Sequence, residues 1–276
     1  MTAADSQAIR GTGVGSSIAV SRRPCIRISQ FVESCCGDGF AGAQQMFQQA
    51  LAVTQPTSNR SVSAYALFGL GNILFKEANF AAARKVYSES LAMRNEIGEK
   101  ATAAESRLAL ADLTIAEGYP ADAESSAREA RDQFRKENQA DDELIAGSVL
   151  AKSLLEQGRF ADAELAVEGA SSLAARSQNR GVGLRFAITA ARVSAAAGKL
   201  DQAKSTLAGA LGDATKNSYV GYEFEARLAL GAIETKSDKG SVGHEHLRQL
   251  ARAARSRDFR LIARDALAAT HDDPFN

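Results

Sequence analysis

Two short clusters in this chain carry side chains of the kinds that bind metal ions. His244 and His246 flank Glu245 near the carboxyl end, and Cys35 adjoins Cys36 near the amino end. Side chains two residues apart on a helix point roughly 200° away from each other, whereas histidine pairs that share a zinc ion lie four residues apart. The spacing therefore predicts structural or surface roles for both clusters, and no metal site.

Motifs for nucleotide binding or nucleophilic catalysis are equally weak. Gly11, Gly13 and Gly15 resemble a phosphate-binding loop, but no strand pattern precedes them and no Lys-Ser/Thr pair follows. All three histidines lie near the carboxyl end, so no Ser/His/Asp or Cys/His set has a defined context. The sequence predicts no catalytic residue and no cofactor, and hence a protein that is not an enzyme.

One stretch near the carboxyl end is strongly basic. Arg248, Arg252 and Arg255 share one face of a predicted helix. The stretch continues through Arg257, Arg260 and Arg264, with Asp258 and Asp265 as its acidic residues. This patch could bind an acidic partner or a nucleic-acid backbone, and the alternative is a solvated terminal cap.

Composition and charge limit the classes of partner. Apolar residues make up 45% of the chain and charged residues 24%, which is typical of a folded protein, and four prolines and 6% aromatic residues favour helix over strand. The formal net charge is zero and no base-reading motif is present, which disfavours nucleic acid as a partner.

Cysteine usage and hydropathy indicate where the protein resides. The three cysteines are too few for a disulfide framework, which favours a reducing compartment. No run approaches the ~20 apolar residues that span a bilayer, and the amino end lacks the continuous apolar segment of a signal peptide. We expect a cytoplasmic protein without a membrane partner.

The helices that would position any functional residue repeat every forty residues along the chain. A small residue recurs in step along the chain, at Ala43, Ala83, Ala123, Ala163, Ala203 and Gly243. Apolar residues four and seven positions later keep the same register, so one helix face is apolar in nearly every copy. Such a period means that one helical unit is repeated, and that each copy buries its apolar side against its neighbours.

Each unit is predicted to be a helical hairpin. A second small position lies twelve residues before the first, at Gly71, Ala111, Ala151, Ala191 and Gly231, where two helix axes can approach closely. Between the two helices stands a residue that ends a helix, most clearly Gly118, Gly158 and Gly198. The predicted hairpins span about 24–54, 64–97, 101–137, 141–177, 182–216 and 221–255. A capping helix at 258–270 follows, and we expect a flexible leader at 1–23 and a frayed tail at 271–276.

The spacing resembles that of the tetratricopeptide repeat (TPR) family. The clearest copy contains Leu67, Leu70 and Gly71, followed by Ala83 and Tyr87. The period here is 40 instead of the family's 34, a lengthened form that is similar to repeat regions of bacterial transcriptional regulators and kinases. The resemblance implies an all-α, right-handed α-solenoid of about five or six repeats. HEAT-type repeats, which share a period near 40, are the alternative.

The family resemblance also implies where a ligand binds. In TPR proteins the first helix of each hairpin lines a concave groove, and four positions on that helix contact the ligand. Carried over to this sequence, the candidate residues are Tyr65, Phe68, Asn72, Phe75, Glu105, Asp112, Lys152, Arg185 and Arg192. The row begins aromatic, becomes acidic and ends basic, a gradient that would orient a mixed-charge peptide or helix. The alternative is that these are solvated helix faces.

These features predict a non-enzymatic interaction scaffold that binds a peptide or helix of a protein partner. The alternative is a sensory or regulatory module of a bacterial signalling or transcription-control system that binds a small effector or a partner chain.

Overall fold

The computed structural model describes residues 40–57, 59–236 and 240–270, and for 55–57 the backbone alone. All regular structure within these ranges is helical. The helices are α1 Ala41–Thr57, α2 Arg60–Lys76, α3 Phe80–Glu96, α4 Lys100–Ala116, α5 Pro120–Lys136, α6 Ala140–Glu156, α7 Phe160–Arg176, α8 Arg180–Ala196, α9 Leu200–Lys216, α10 Val220–Thr235, α11 Gly240–Arg255 and α12 Arg260–Ala268. The chain is an all-α, right-handed solenoid of helical hairpins.

Most helices are 17 residues long, and turns with a left-handed residue separate them. The left-handed positions are Ala78, Gly98, Gly118, Asn138, Gly158, Gly198, Ser218 and Asp258. At the first of them, the Ala78 amide donates to the Phe75 carbonyl (2.9 Å) and the Asn79 amide to the Leu74 carbonyl (2.8 Å). These two hydrogen bonds satisfy carbonyl groups of the last helical turn, and the chain reverses direction there.

The glycine breakers predicted from the sequence, Gly118, Gly158 and Gly198, are confirmed as left-handed residues. The second series of turns lies between one predicted hairpin and the next, and its left-handed residues, Gly98, Asn138, Ser218 and Asp258, were not named from the sequence. Helices begin up to four residues earlier than the hydrophobic pattern predicts; α2, for example, begins at Arg60 after the cap of Asn59.

The odd-numbered helices press their small residues against the preceding helix. Ala83, Ala123, Ala163 and Ala203 are at most 1% exposed. At the small positions of the even-numbered helices, a large side chain of the following helix packs against the backbone. A Cβ atom at Gly231 would lie 2.6 Å from Leu247 Cδ2, and one at Gly71 would overlap the Tyr87 ring. The close approach of paired helix axes therefore requires the small residues that the sequence repeats.

The two ends of the solenoid meet. Phe40 at the start of α1, Phe224 in α10 and Phe259 before α12 belong to one apolar cluster. In addition, the Arg264 guanidinium of α12 donates to the Ala116 carbonyl (3.2 Å) and lies 4.9 Å from the centre of the Phe80 ring. The predicted capping helix, α12, thus contacts the last hairpin and the carboxyl ends of α2 and α4, and it bridges one end of the predicted concave groove.

Candidate functional site: a central polar channel

The even-numbered helices surround a central channel with a volume of about 590 Å³. Its lining contains these members of the predicted groove set: Phe68, Asn72, Phe75, Glu105, Asp112, Lys152, Arg185 and Arg192. Tyr65, the remaining member, packs half-buried against the apolar cluster of Phe40 and Phe68 instead. Residues of α12, including Leu261 and Arg264, also border the channel.

Asp112 is the centre of the channel's main ion-pair network. The Lys152 ammonium donates to Asp112 Oδ1 at 2.7 Å, and the Arg185 guanidinium donates to Oδ2 at 3.4 Å. Burial disfavours the carboxylate, but the two cations outweigh it and lower the pKa of Asp112 to about 2. Asp112 is therefore ionised throughout the physiological range, and the network is a fixed part of the wall.

Two further charged residues of the wall, Arg192 and Glu105, also have ion-pair partners. Arg192 donates to Glu156 at 2.8 Å, and Glu105 lies 3.3 Å from Arg94. Because successive even-numbered helices stand side by side, residues of equal or nearby register in neighbouring repeats become contacts. The predicted gradient from an acidic to a basic end is therefore replaced by local ion pairs, in which an acidic side chain of one helix neutralises a basic side chain of a neighbouring helix.

Arg94 is a buried residue beside the channel that was not singled out from the sequence. It is 1% exposed and donates to the Thr102 carbonyl (2.5 Å) and to Ser106 Oγ (2.9 Å), with its guanidinium 4.7 Å from the centre of the Phe68 ring. It holds Glu105 and Phe68, both predicted groove residues, in place. The equivalent positions Phe134 and Ala214 are apolar, so the register itself marks Arg94 as exceptional.

Asn72 presents an amide to the channel in a fixed orientation. The Tyr87 hydroxyl donates to Asn72 Oδ1 at 2.8 Å. Burial, with the Asp112 charge, raises the pKa of Tyr87 well above its usual value, so the phenol keeps its proton. With Oδ1 engaged, the Asn72 amide nitrogen is oriented as a donor.

Asp142, in the first turn of α6, is the second residue that the sequence analysis missed. It lines the channel and is 8% exposed. Burial raises the pKa of Asp142 to about 6, and the charge of Asp141 adds to the shift. The same register in the other repeats holds Val62, Thr102, Val182 and Tyr222, so a comparison at intervals of forty singles out this carboxylate.

The turn beside Asp142 departs from the repeat. Ser177, after α7, adopts an extended conformation (φ −66°, ψ 129°) where the equivalent turns place a left-handed residue nearby. Its hydroxyl donates to Asp141 Oδ1 at 2.7 Å and accepts from the Asn179 amide at 3.2 Å. These hydrogen bonds tie the turn before α8 to the start of α6.

The basic patch on α11 is less basic than its sequence indicates. Glu245 lies 3.3 Å from Arg252 and 3.8 Å from Arg248, whereas Arg255 is exposed on the same helix. Two of the arginines that follow have partners of their own, since Arg260 contacts Asp258 and Arg264 contacts Asp265. Binding at Arg248, Arg252 and Arg255 stays a prediction.

The clusters with metal-binding side chains are only partly described. His246 Nδ1 lies 2.7 Å from Glu234 Oε2 of the neighbouring α10, on the exposed side of the helix. Cys35, Cys36 and the glycine-rich stretch lie outside the described residues, as do the leader at 1–23 and the tail at 271–276. Within the described ranges, no group of three or more His, Cys, Asp and Glu side chains is arranged to hold a metal ion. No helix in that part of the chain is long and apolar enough to cross a membrane.

Comparison with known proteins identifies the architecture. No family model matches the chain, and no curated protein sequence does. Among solved structures, the chain is similar to a Rap protein in complex with Competence and Sporulation Factor, with 15% sequence identity and a TM-score of 0.65. The match covers 84% of this chain and 63% of the Rap chain, so the chain spans less than two thirds of that protein. The likeness shows the fold, a TPR-like helical solenoid.

Proposed function

We propose that this chain is a non-enzymatic scaffold that binds a short, extended segment of a protein partner in its central channel. The observation that carries the proposal is the channel itself, which gathers polar and aromatic side chains from five successive even-numbered helices and α12. Concave sites with a few fixed polar groups are the usual place for ligands.

The size of the channel suits a short peptide. Its volume of about 590 Å³ lies within the range of sites that take drug-sized ligands. A peptide of a few residues is of that size. We therefore narrow the predicted ligand, a peptide or helix, to such a peptide.

The chemistry of the wall fits such a ligand. Phe68 and Phe75 offer apolar surface, and the Asn72 amide is oriented to donate to a main-chain carbonyl. Because Asp112, Glu156 and their basic partners are already paired, recognition at that part of the wall rests on oriented dipoles and on shape more than on free charge. The Rap protein of similar fold is bound to Competence and Sporulation Factor, which supports ligand binding by this architecture.

A small effector is the second candidate, because the same volume suits a small molecule. Binding of a small effector would fit the alternative predicted from the sequence, a sensory or regulatory module. The two candidates differ in what is recovered from the channel, a peptide or a metabolite, and mass spectrometry of the eluted ligand distinguishes them.

The test is a variant that fills the channel. Ala232 of α10 lines it, and Ala232→Trp places an indole there while every residue of the Asp112 network is kept. Charge reversal at Lys152 or Arg185 is a poorer choice, because it sets like charges beside the buried Asp112 carboxylate.

The matched control is Ala81→Trp, which adds the same side chain at an exposed position of α3. We expect capture of partner peptides from the native host to be lost in Ala232→Trp and retained in Ala81→Trp, with equal helicity and melting temperature. Equal capture by both variants would contradict the channel as the binding site.

A further inference from the structure

We infer that Asp142 forms a subsite for a single cationic group of the ligand, an ammonium or a guanidinium, at the end of the channel where the even-numbered helices begin. The inference rests on the proposed function, since it names the chemistry of one end of the bound segment.

The first argument is that Asp142 stands apart among the carboxylates of the channel. Glu105, Asp112, Glu156 and Asp265 each pair with a lysine or arginine. Glu225 acts on Arg185. Asp142 is 8% exposed and has neither a hydrogen bond nor an ion pair with any described residue. A buried carboxylate without a partner is costly, and a ligand cation removes that cost.

The second argument is that nearby basic side chains are engaged elsewhere. Arg135 of α5 donates to Glu143 at 2.8 Å, and Arg185 of α8 is held by Asp112. Ser177, the polar group that reaches this turn from α7, donates to Asp141 and leaves Asp142 open. The charge that acts on Asp142, that of Asp141, is negative and adds to the attraction for a cation.

The third argument is that the fold does not need an aspartate here. Val182 and Tyr222 occupy the same register in the next two repeats and are 5% and 6% exposed. An apolar side chain therefore satisfies the packing at this position, and the carboxylate costs stability without a packing return. A residue of that kind at a channel wall is typical of a binding site.

The position of Asp142 also sets the direction of the ligand. It lies ten residues before Lys152 on α6, or about 15 Å along the helix axis. The Asp112 network and α12 lie toward the other end of the channel. A bound segment would therefore place its cationic group far from α12.

The experiment uses the full chain and a library of acetylated, amidated pentapeptides with one defined residue at each position. We expect peptides with Arg or Lys at one position to bind at least tenfold more tightly than their Gln counterparts. Asp142→Asn and Asp142→Val should both abolish that preference. The control Asp122→Asn, which removes an exposed carboxylate from the first turn of α5, should change it less than threefold.

A second arm identifies the source of the cation. Neutral pentapeptides with a free amino terminus are compared with their acetylated forms. Tighter binding of the free amines, lost in Asp142→Asn, would assign the subsite to a main-chain ammonium; tighter binding of the Arg or Lys peptides alone would assign it to a side chain. Either result supports the inference.

Two outcomes would overturn it, and they are distinguishable. Pentapeptides that bind without a preference for a cation, or whose preference survives Asp142→Asn, would refute the subsite and leave peptide capture intact. Failure of every library member to bind would refute the proposed function and the subsite together.

Discussion

The ring of Phe40 lies 4.9 Å from the ring of Phe259, centre to centre, although the two residues precede the first and the last described helices. Phe224 meets Phe259 edge to face at 5.4 Å, and the Lys76 ammonium lies 5.3 Å from the Phe259 ring. These contacts join α2, α10 and α12. They convert an open superhelix into a channel with one bridged end, so the stability of the array and the shape of the site are linked.

We predict that Phe259→Ala detaches α12 from α2. Phe259 is 1% exposed, and removal of a buried aromatic ring costs about 3–5 kcal/mol. Urea unfolding should show that loss, and amide hydrogen exchange should rise in α12 and at the end of α2. The control Tyr119→Ala, at a side chain 61% exposed, should change stability by less than about 1 kcal/mol. Unchanged exchange in α12 would contradict the bridge.

A second prediction concerns the small positions of the repeat. Gly71→Ala places a Cβ against the Tyr87 ring, which is 1% exposed and held by Asn72, so overpacking should exceed the gain in helix propensity and destabilise by about 1–3 kcal/mol. Gly209→Ala, in α9 with open space around its Cβ, should instead stabilise by up to about 1 kcal/mol. Thermal unfolding of both variants measures the difference, and equal signs would refute the packing argument.

A third prediction is acid sensitivity from Asp112. Its native pKa of about 2 lies below the ordinary value of 3.8, so its ion pairs stabilise the fold above pH 4, and that contribution is lost as the pH falls through 2. Asp112→Asn should cost about 2 kcal/mol at pH 7, and the difference from the unmodified protein should shrink as the pH falls from 4 to 2. Denaturant titrations across this range test it. A difference independent of pH would contradict the account.

A fourth prediction is that Asp142 makes stability depend on pH in the opposite direction to Asp112. The native pKa of Asp142, about 6, lies above its ordinary value of 3.8, so the unliganded protein loses stability as the pH rises from 4 through 6. Asp142→Asn lacks the buried charge and should be more stable than the unmodified protein by about 2–3 kcal/mol at pH 8. The two should converge near pH 4. Destabilisation by Asp142→Asn at pH 8 would show that the carboxylate has a structural partner.

The repeat and its helical hairpins could be predicted because they depend on local periodicity. The small residues at Ala83 and Gly71 and the glycines of the first turns are visible in one reading of the chain. The left-handed residues of the turns between hairpins were not named, because Asn138, Ser218 and Asp258 adopt that conformation without being glycine and no single residue type marks the position.

The contacts that form the channel could not be predicted from the sequence, because they depend on how the repeats are arranged in space. Pairing of Lys152 with Asp112 depends on how adjacent repeats are rotated, and the meeting of Phe40 with Phe259 depends on the pitch of the whole superhelix. Neither quantity can be read from a period of forty. Asp142, by contrast, could have been found from sequence, by comparing each register position across repeats for a charge among apolar residues.

The most direct test of the central claim is a crystal structure of the full chain with the tightest-binding pentapeptide of the library. The account predicts an extended peptide in the channel, beside Phe68 and Lys152, with its cationic group within hydrogen-bond distance of Asp142. A peptide bound on the outer surface, or on the arginines of α11, with the channel unchanged, would contradict it.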